Sequence, residues 1–252
     1  MVEDKTRTSQ TLARGLQVLG CFQERGSELG IKELSQALAL PQTIISRLVA
    51  TLVDYGYLVQ NPQTKKYTLG LTAFTLGLHA TPEPQLRHVA YPYLEQLQEM
   101  TKETVSLNVV DVASMDGVCI ASIDSPAQIK LTTRVGSVRP LYRGATRKVL
   151  LAYLEPLQQE QVLLQLPEDV DRDELCSELN QIRHDGYAYS EEELDEGAYA
   201  VAAPVLTAQG KLIASVAMAG PVFRKTEETL KSAVDSVKKA ASDISVALRG
   251  RQ

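Results

Sequence analysis

Polar side chains recur at helical spacing in the first fifth of the chain and are suited to contact nucleic acid. One side of a helix starting there would carry Thr43, Ser46, Arg47 and Ala50. Hydroxyl and guanidinium groups bind phosphates and base edges, and a small alanine lets a helix lie close in the major groove. Gln42 precedes this set at the start of the helix, where a side chain points into the major groove.

A short hairpin is predicted directly after this helix. Two β-prone triplets, Tyr57–Val59 and Tyr67–Leu69, flank a polar loop that contains asparagine and proline. Lys65 and Lys66 end the loop, where a wing would hold their ammonium groups against the phosphate backbone. The side chains predicted to contact DNA are therefore Gln42, Thr43, Ser46, Arg47, Lys65 and Lys66.

Three amphipathic helices would position these side chains. The first covers Thr11–Phe22, with Leu12, Leu16 and Leu19 on one face, and the second covers Ile31–Leu38. The third begins after a tight connection at Pro41, has an apolar stripe and ends at Gly56. That stripe consists of Ile45, Leu48, Val49, Leu52 and Val53. Two short helices joined by a tight turn predict a helix-turn-helix, but a charged helix face is also typical of a solvated surface.

The rest of the chain predicts a second domain. The dense proline punctuation at Thr81–Pro84 indicates a boundary, and a long amphipathic helix follows it. Strands are predicted at Ser106–Val112, Val118–Asp124, Ile129–Arg134, Tyr199–Leu206 and Leu212–Ala219. Helices are predicted at Ala145–Leu154, Pro156–Leu164, Arg172–His184 and about Glu227–Arg249. Strands flanked by helices favour one α+β domain.

Composition and charge limit the classes of function that the chain could have. The chain has 252 residues, of which 44% are hydrophobic and 23% charged, which suits two folded domains. Residues 1–78 carry 8 basic and 6 acidic side chains, whereas the remainder carries 18 and 25. A mildly basic first part on an acidic body is compatible with DNA binding by one end. No apolar run would cross a bilayer and residues 1–10 lack a secretory signal, so we expect a cytoplasmic protein without membrane contact.

Neither a catalytic set nor a metal pattern emerges from the sequence. The three histidines are scattered, and no phosphate loop or nucleophile elbow is present. The acidic run at 191–196 is typical of a solvated face. Cys21, Cys119 and Cys176 are too widely spaced for a metal pattern, and their odd number disfavours a disulfide framework. We predict no catalytic residues, no cofactor and no metal, while catalytic groups that meet only in three dimensions keep an enzyme as an alternative.

Motifs along nearly the whole chain share one resemblance. In the first part they are Arg14–Leu19, Ile31–Pro41, Arg47–Leu48, Gly56–Leu58 and Tyr67–Gly70. In the second part they are Val135–Leu141, Lys148–Ala152, Gly186–Ala188, Glu193–Leu194, Gly197, Ala202–Val205 and Ala219–Pro221. In their order and spacing these motifs resemble those of the IclR family of bacterial transcription regulators.

The resemblance implies a fold and a mode of action. The fold would be α+β, with an N-terminal winged helix-turn-helix domain at residues 1–80 and a C-terminal GAF-like α/β effector-binding domain at residues 81–252. A linker helix at about residues 84–102 would join them. The resemblance also implies a homodimer or homotetramer on a pseudo-palindromic double-stranded DNA operator. Control would come from a small metabolite, an organic or sugar acid, and repression is the more usual outcome in the family.

The resemblance further implies where the effector binds. Family members hold it against the sheet, near the N-terminus of the helix that follows the Pro-Leu motif. Free N–H groups and the partial positive charge at a helix N-terminus suit a carboxylate. In this sequence the implied effector site consists of Gly144, Ala145, Thr146, Glu193, Ala217 and Ala219.

This sequence departs from the family pattern at two places. Arg147 replaces the usual glycine before the lysine; it would either pair with an anionic effector or, as general arginine exposure favours, be a solvated surface charge. Ala217 and Ala219 stand where relatives that bind small 2-oxo acids tend to have hydroxyl groups. This disfavours a very small polar oxo acid and leaves sugar acids and aromatic acids open. It also leaves open a vestigial domain that only assembles the oligomer.

Overall fold

The computed structural model describes residues 9–24, 28–80 and 84–249. The chain divides into two compact units between residues 82 and 83. Each unit has its own buried apolar core, as the surface-to-volume ratio of a chain this long allows.

The first unit is a winged helix-turn-helix. Its three helices are α1 (Gln10–Glu24), α2 (Ile31–Leu38) and α3 (Gln42–Asp54). They are followed by the antiparallel hairpin β1 (Leu58–Gln60) and β2 (Tyr67–Leu69), and by α4 (Leu71–Ala80). The turn between α2 and α3 is tight because Ala39 takes a left-handed conformation with φ of 51° and Pro41 caps α3.

The face that α1 buries differs from the predicted one. Leu12 and Leu16, expected on the packed face, are 63% and 59% exposed, and Leu19 is half-buried. The helix packs instead through Val18 and Phe22, which join the buried residues of α2, α3 and β1. Both stripes have helical spacing, so the sequence pattern did not distinguish the packed face from the exposed one.

The second unit is built on one antiparallel sheet. After α5 (Pro84–Thr101), six strands follow in the spatial order β5-β4-β3-β8-β7-β6. Their bounds are β3 (Thr104–Asp111), β4 (Asp116–Ile123), β5 (Val138–Pro140), β6 (Ala188–Glu191), β7 (Ala198–Leu206) and β8 (Leu212–Pro221). Pairing of β3 with β8 sets Ser106 opposite Ala217 and Asn108 opposite Ser215.

Helices cover both faces of this sheet. On one face, α5 and α9 (Glu227–Arg249) pack through a cluster that includes Leu94, Leu107 and Ile244. On the other face lie α6 (Ala145–Ala152), α7 (Pro156–Leu163) and α8 (Arg172–Asp185), packed through a second cluster. The first turn of α6 lies against β8, because the buried Ser215 hydroxyl of β8 donates to the Thr146 carbonyl at 3.1 Å.

One predicted strand is wrong. The segment Ile129–Arg134 is β-branched but forms no strand, and the edge of β4 is taken by the unpredicted β5. Side chains hold the segment instead: Thr104 donates from its hydroxyl to the Leu131 carbonyl at 2.5 Å, and Arg224 donates to the Ile129 carbonyl at 2.9 Å. Tertiary context therefore overrides a local β propensity here.

Candidate nucleic-acid interface and ligand cavity

The outer face of α3 presents the predicted polar side chains to solvent. Gln42, Thr43, Ser46 and Arg47 are all exposed. Ile45 and Val49, on the opposite side of the helix, are 0% and 1% exposed and anchor α3 in the core of the first unit. Burial of each of these two side chains is worth about 1.5–3 kcal/mol, so the helix is fixed with this polar face outward.

The two wing lysines differ in their surroundings. Lys65 is exposed, at a left-handed turn position with φ of 58°. The Lys66 ammonium instead contacts the Glu33 carboxylate of α2 at 2.8 Å. Hydrogen bonding in this pair lowers the pKa of Glu33 and raises the pKa of Lys66. Lys66 therefore braces the wing against α2, whereas the Lys65 side chain extends into solvent.

The second unit contains a cavity of about 350 Å³ on the sheet face next to α6. All six residues predicted for the effector site line it, namely Gly144, Ala145, Thr146, Glu193, Ala217 and Ala219. The segment that forms no strand contributes Lys130, Leu131, Thr132 and Thr133 to the lining of the cavity. The structure thus brings together residues that are far apart in the sequence.

The N-terminus of α6 is already partly occupied by the protein itself. The N–H of Gly144 donates to the Glu193 carboxylate at 3.0 Å, and the N–H of Ala145 donates to the Ser190 hydroxyl at 2.9 Å. The Glu193 carboxylate also pairs with the buried Lys148 ammonium at 2.8 Å, which in turn binds Glu178. Glu193 therefore caps the helix and holds a partly buried ion-pair network at the cavity wall.

Hydroxyl groups that sequence reasoning missed also line the cavity. Ala217 and Ala219 do leave one strand apolar, but Ser106 lies on β3 directly opposite Ala217. Ser190 at the end of β6 and Thr132 add further hydroxyl-bearing side chains. The only sequence signal for Ser106 was its period-two position in β3, which gives the face of a strand but not its partner strand.

Arg147 is buried, contrary to the preference for a solvated surface charge. Its residue exposure is 7%, and it lines the cavity. Its Nε has no hydrogen-bond partner among the described residues. Burial lowers the pKa of the guanidinium. The side chain lies over β4, where Gly117 leaves room: a Cβ there would stand 3.0 Å from the Arg147 Cγ.

Residues 9–24, 28–80 and 84–249 offer neither a metal cluster nor a single membrane-spanning helix. They hold no group of three or more His, Cys, Asp or Glu side chains placed to bind a metal ion. No single helix described there is both long and apolar enough to cross a membrane; α2 and α3 meet the criteria only as a pair bent by 114°. Of the three histidines, His88 and His184 are exposed, while the His79 side chain lies outside the described set.

A winged helix-turn-helix in one chain with a sheet unit that encloses a cavity defines the class of two-part transcription regulators. Residues 78–246 match the family model of the bacterial transcriptional regulator IclR C-terminal domain, and residues 11–62 match that of the IclR helix-turn-helix domain. The chain belongs to the IclR family of bacterial transcription regulators. It is accordingly a DNA-binding regulator with a separate effector domain.

Individual relatives agree with this assignment over their full length. The HTH-type transcriptional regulator KdgR of Escherichia coli (strain K12) is 32% identical, over 96% of this chain and 95% of KdgR. The transcriptional repressor IclR of the same organism is 26% identical, over 96% of this chain and 90% of that protein. An IclR homolog from Microbacterium hydrocarbonoxydans, solved in complex with 4-hydroxybenzoate, matches with a TM-score of 0.80 at 25% identity, over 95% of this chain and 99% of that one.

Proposed function

We propose that this regulator is a cytoplasmic repressor whose operator binding is controlled by an organic or sugar acid held in the α6 cavity. The observation that carries the proposal is the outer face of α3, where four polar side chains lie exposed opposite the buried Ile45 and Val49. That arrangement matches a recognition helix, whose exposed side chains contact base edges and phosphates. A relative named a transcriptional repressor supports the sign of regulation.

The DNA target follows from symmetry. A homodimer, free or paired into a homotetramer, would place two copies of α3 in successive major grooves of a pseudo-palindromic operator. Gln42, Thr43, Ser46 and Arg47 would contact bases and phosphates, with Lys65 and Lys66 on the backbone beside them.

Control requires that the effector distinguish two states of the protein. A ligand shifts an equilibrium only by its differential affinity for the two conformations. We infer that the acid prefers the state in which the two copies of α3 no longer match the spacing of the major grooves in the operator. The linker helix at about residues 84–102, which includes α5, would transmit this change.

The cavity supports a ligand-binding domain over a vestigial one. Its volume of about 350 Å³ lies in the range of small-molecule sites, and its lining combines apolar side chains with hydroxyl and charged groups. The neighbour solved with 4-hydroxybenzoate shows that a homologous protein binds an aromatic acid. Binding rather than catalysis also agrees with the relatives, which are regulators.

The DNA-binding half is tested by a salt titration. The full-length protein is mixed with the DNA upstream of its own gene and, separately, with random DNA of equal length. We expect tighter binding to the upstream fragment and a steep loss of affinity with salt, because counterions are released from neutralised phosphates. Equal, weak binding to both fragments would count against this operator.

The recognition helix is tested by Arg47→Ala. We expect the affinity for the operator to fall by about 1–3 kcal/mol, which is the cost of losing a base contact. Lys231→Ala is the matched control, since it removes one exposed positive charge from α9, far along the chain from α3. If Arg47→Ala binds the operator as tightly as the parent while remaining folded, α3 is not the reading helix.

A further inference from the structure

We propose that Arg147 is the anion anchor of the α6 cavity and that the effector is a hydroxylated monocarboxylic acid whose carboxylate binds this guanidinium. The inference rests on the proposed function, because it names the ligand class of the same cavity. It assigns a role to a residue that occupies a position where the resemblance led us to expect glycine. Four observations carry it.

The first observation is that Arg147 lacks a counter-ion. The residue is 7% exposed, and its Nε is one of the two buried side-chain polar atoms without a hydrogen-bond partner in the described part of the chain. No carboxylate among the described residues forms an ion pair with it. A buried charge without a partner costs several kcal/mol in general, so a protein retains one where a ligand supplies the opposite charge.

The second observation is that the neighbouring groups do not neutralise Arg147. Cys119 lies close on β4, but burial raises the pKa of its thiol to about 11, which keeps the sulfur uncharged at neutral pH. Arg139 on β5 adds a like charge that lowers the Arg147 pKa, and Asp195 exerts only a smaller opposing effect. These neighbouring groups therefore leave the guanidinium without a carboxylate paired to it among the described residues, so that it can bind an incoming anion.

The third observation is that two N–H groups at the start of α6 and one of the cavity's cations are already engaged. The N–H groups of Gly144 and Ala145 at the start of α6 are bound by Glu193 and Ser190. Two cationic side chains line the cavity in the described residues, and one of them, Lys130, pairs with Asp124 at 2.9 Å. Arg147 is the cation that remains for a ligand. A carboxylate would thus bind the Arg147 side chain, which is one of the two roles that the sequence left open for this residue.

The fourth observation concerns the rest of the ligand. Hydroxyl-bearing side chains in the cavity lining, including Ser106, Thr132 and Ser190, suit hydroxyl groups of a ligand. The carboxylates of Glu192 and Asp195 also line the cavity; they accept hydrogen bonds from hydroxyl groups but repel a second ligand carboxylate. A ligand with one carboxylate and one or more hydroxyl groups therefore suits both Arg147 and the hydroxyl and carboxylate side chains of the lining.

A thermal-shift experiment on the full-length protein tests the proposal with two defined acids. The probes are gluconate and 4-hydroxybenzoate, each compared with its neutral counterpart, glucitol or 4-hydroxybenzamide. A ligand that prefers the folded state raises the melting temperature. We expect at least one acid to raise it by several degrees at about 1,000 times its dissociation constant, and the neutral counterpart to have no comparable effect.

Arg147→Met tests whether the Arg147 guanidinium binds the carboxylate of the acid. Methionine keeps an unbranched stem over Gly117 but removes the charge, and Arg139→Met is the matched control because it removes a nearby exposed arginine that does not line the cavity. We expect Arg147→Met to weaken binding of the responding acid at least about tenfold, and Arg139→Met to leave it within about twofold, since charge-assisted bidentate bonds are among the strongest. Unchanged acid binding by Arg147→Met, or no response of the parent to either acid, would overturn the proposal.

Operator binding distinguishes this failure from failure of the proposed function. If Arg147 is the anchor, Arg147→Met still binds the operator fragment, but the acid no longer releases it. If the proposed function is wrong, no variant discriminates the operator from random DNA, while the thermal response to acid is still lost in Arg147→Met.

Discussion

The two units place a functional arginine in opposite surroundings. Arg47 lies exposed on α3, whereas Arg147 lies buried on α6, with 7% of the residue exposed. An exposed cation is well solvated and screened, so it contributes to binding mainly through the phosphates and base edges that it meets. A buried cation without a partner is poorly solvated and screened little, so it gains much from a single anion. The same side chain is therefore suited to a polyanion in one unit and to a small acid in the other.

Salt gives the largest expected difference between the two sites. Raising the salt concentration from about 50 to about 200 mM should weaken operator binding by about a thousandfold if six phosphates are neutralised. Acid binding at Arg147 should change by less than about threefold, because buried charges are screened much less. Fluorescence anisotropy of labelled operator and calorimetry of the acid measure the two dependences. Equally steep slopes would mean that Arg147 acts as a solvated charge.

Breaking the ion-pair network beside the cavity should have the next largest effect. Lys148→Met leaves the carboxylates of Glu178 and Glu193 without their shared cation, and removing one partner of a buried pair costs about 3 kcal/mol. The control is Lys239→Met, which breaks an exposed pair with Asp243 and should cost less than about 1 kcal/mol. Urea unfolding of both variants provides the free energies. If Lys148→Met lowers the free energy of unfolding by no more than the control does, Glu193 is effectively solvated.

A smaller effect should come from the glycine under Arg147. Gly117→Ala places a Cβ 3.0 Å from the Arg147 Cγ and 3.4 Å from a Leu150 methyl group, so the arginine stem must shift. We expect a loss of stability of about 1 kcal/mol from overpacking, and a several-fold loss of acid affinity without any change of charge. Gly20→Ala in α1 is the control, since among the described residues its added Cβ meets nothing within 4 Å apart from its chain neighbours and its own helix backbone. If acid titrations give the same affinity for both variants, Gly117 does not contribute to acid binding.

The smallest effect concerns the wing. Pairing with Lys66 lowers the pKa of Glu33, so the pair stabilises the folded state above the unfolded pKa of Glu33 and loses this contribution as pH falls through the lowered folded value. The carboxyl of Glu33, followed by NMR, should titrate below its ordinary pKa in the parent and closer to it in Lys66→Met. Lys65→Met is the control, because Lys65 is exposed and forms no ion pair with Glu33. An unshifted titration in the parent would mean that the wing is not braced by this contact.

Local periodicity was enough for several elements. The predicted third helix and the closing helix agree with α3 and α9, because each carries a long apolar stripe of helical period over 13 and 23 residues. Periodicity predicted the wrong packed face of α1, where two apolar faces compete. It also predicted a strand at Ile129–Arg134, where β-branched residues line the cavity instead of a sheet edge. Both failures have the same cause, since the choice among locally acceptable structures is made by contacts with distant residues.

By itself, the sequence determined family membership, the fold class, the polar face of α3 and the residues at the start of α6. Those features depend on short-range spacing or on motifs that are contiguous in the chain. The tertiary structure alone decided that Glu193 binds Lys148, 45 residues away, and that Ser106 faces the cavity opposite Ala217. It also decided that Arg147 is buried and that its Nε meets no hydrogen-bond partner in the described part of the chain. The physical reason is that burial and pairing of a charge depend on which distant side chains surround it, and the type of residue does not specify its neighbours.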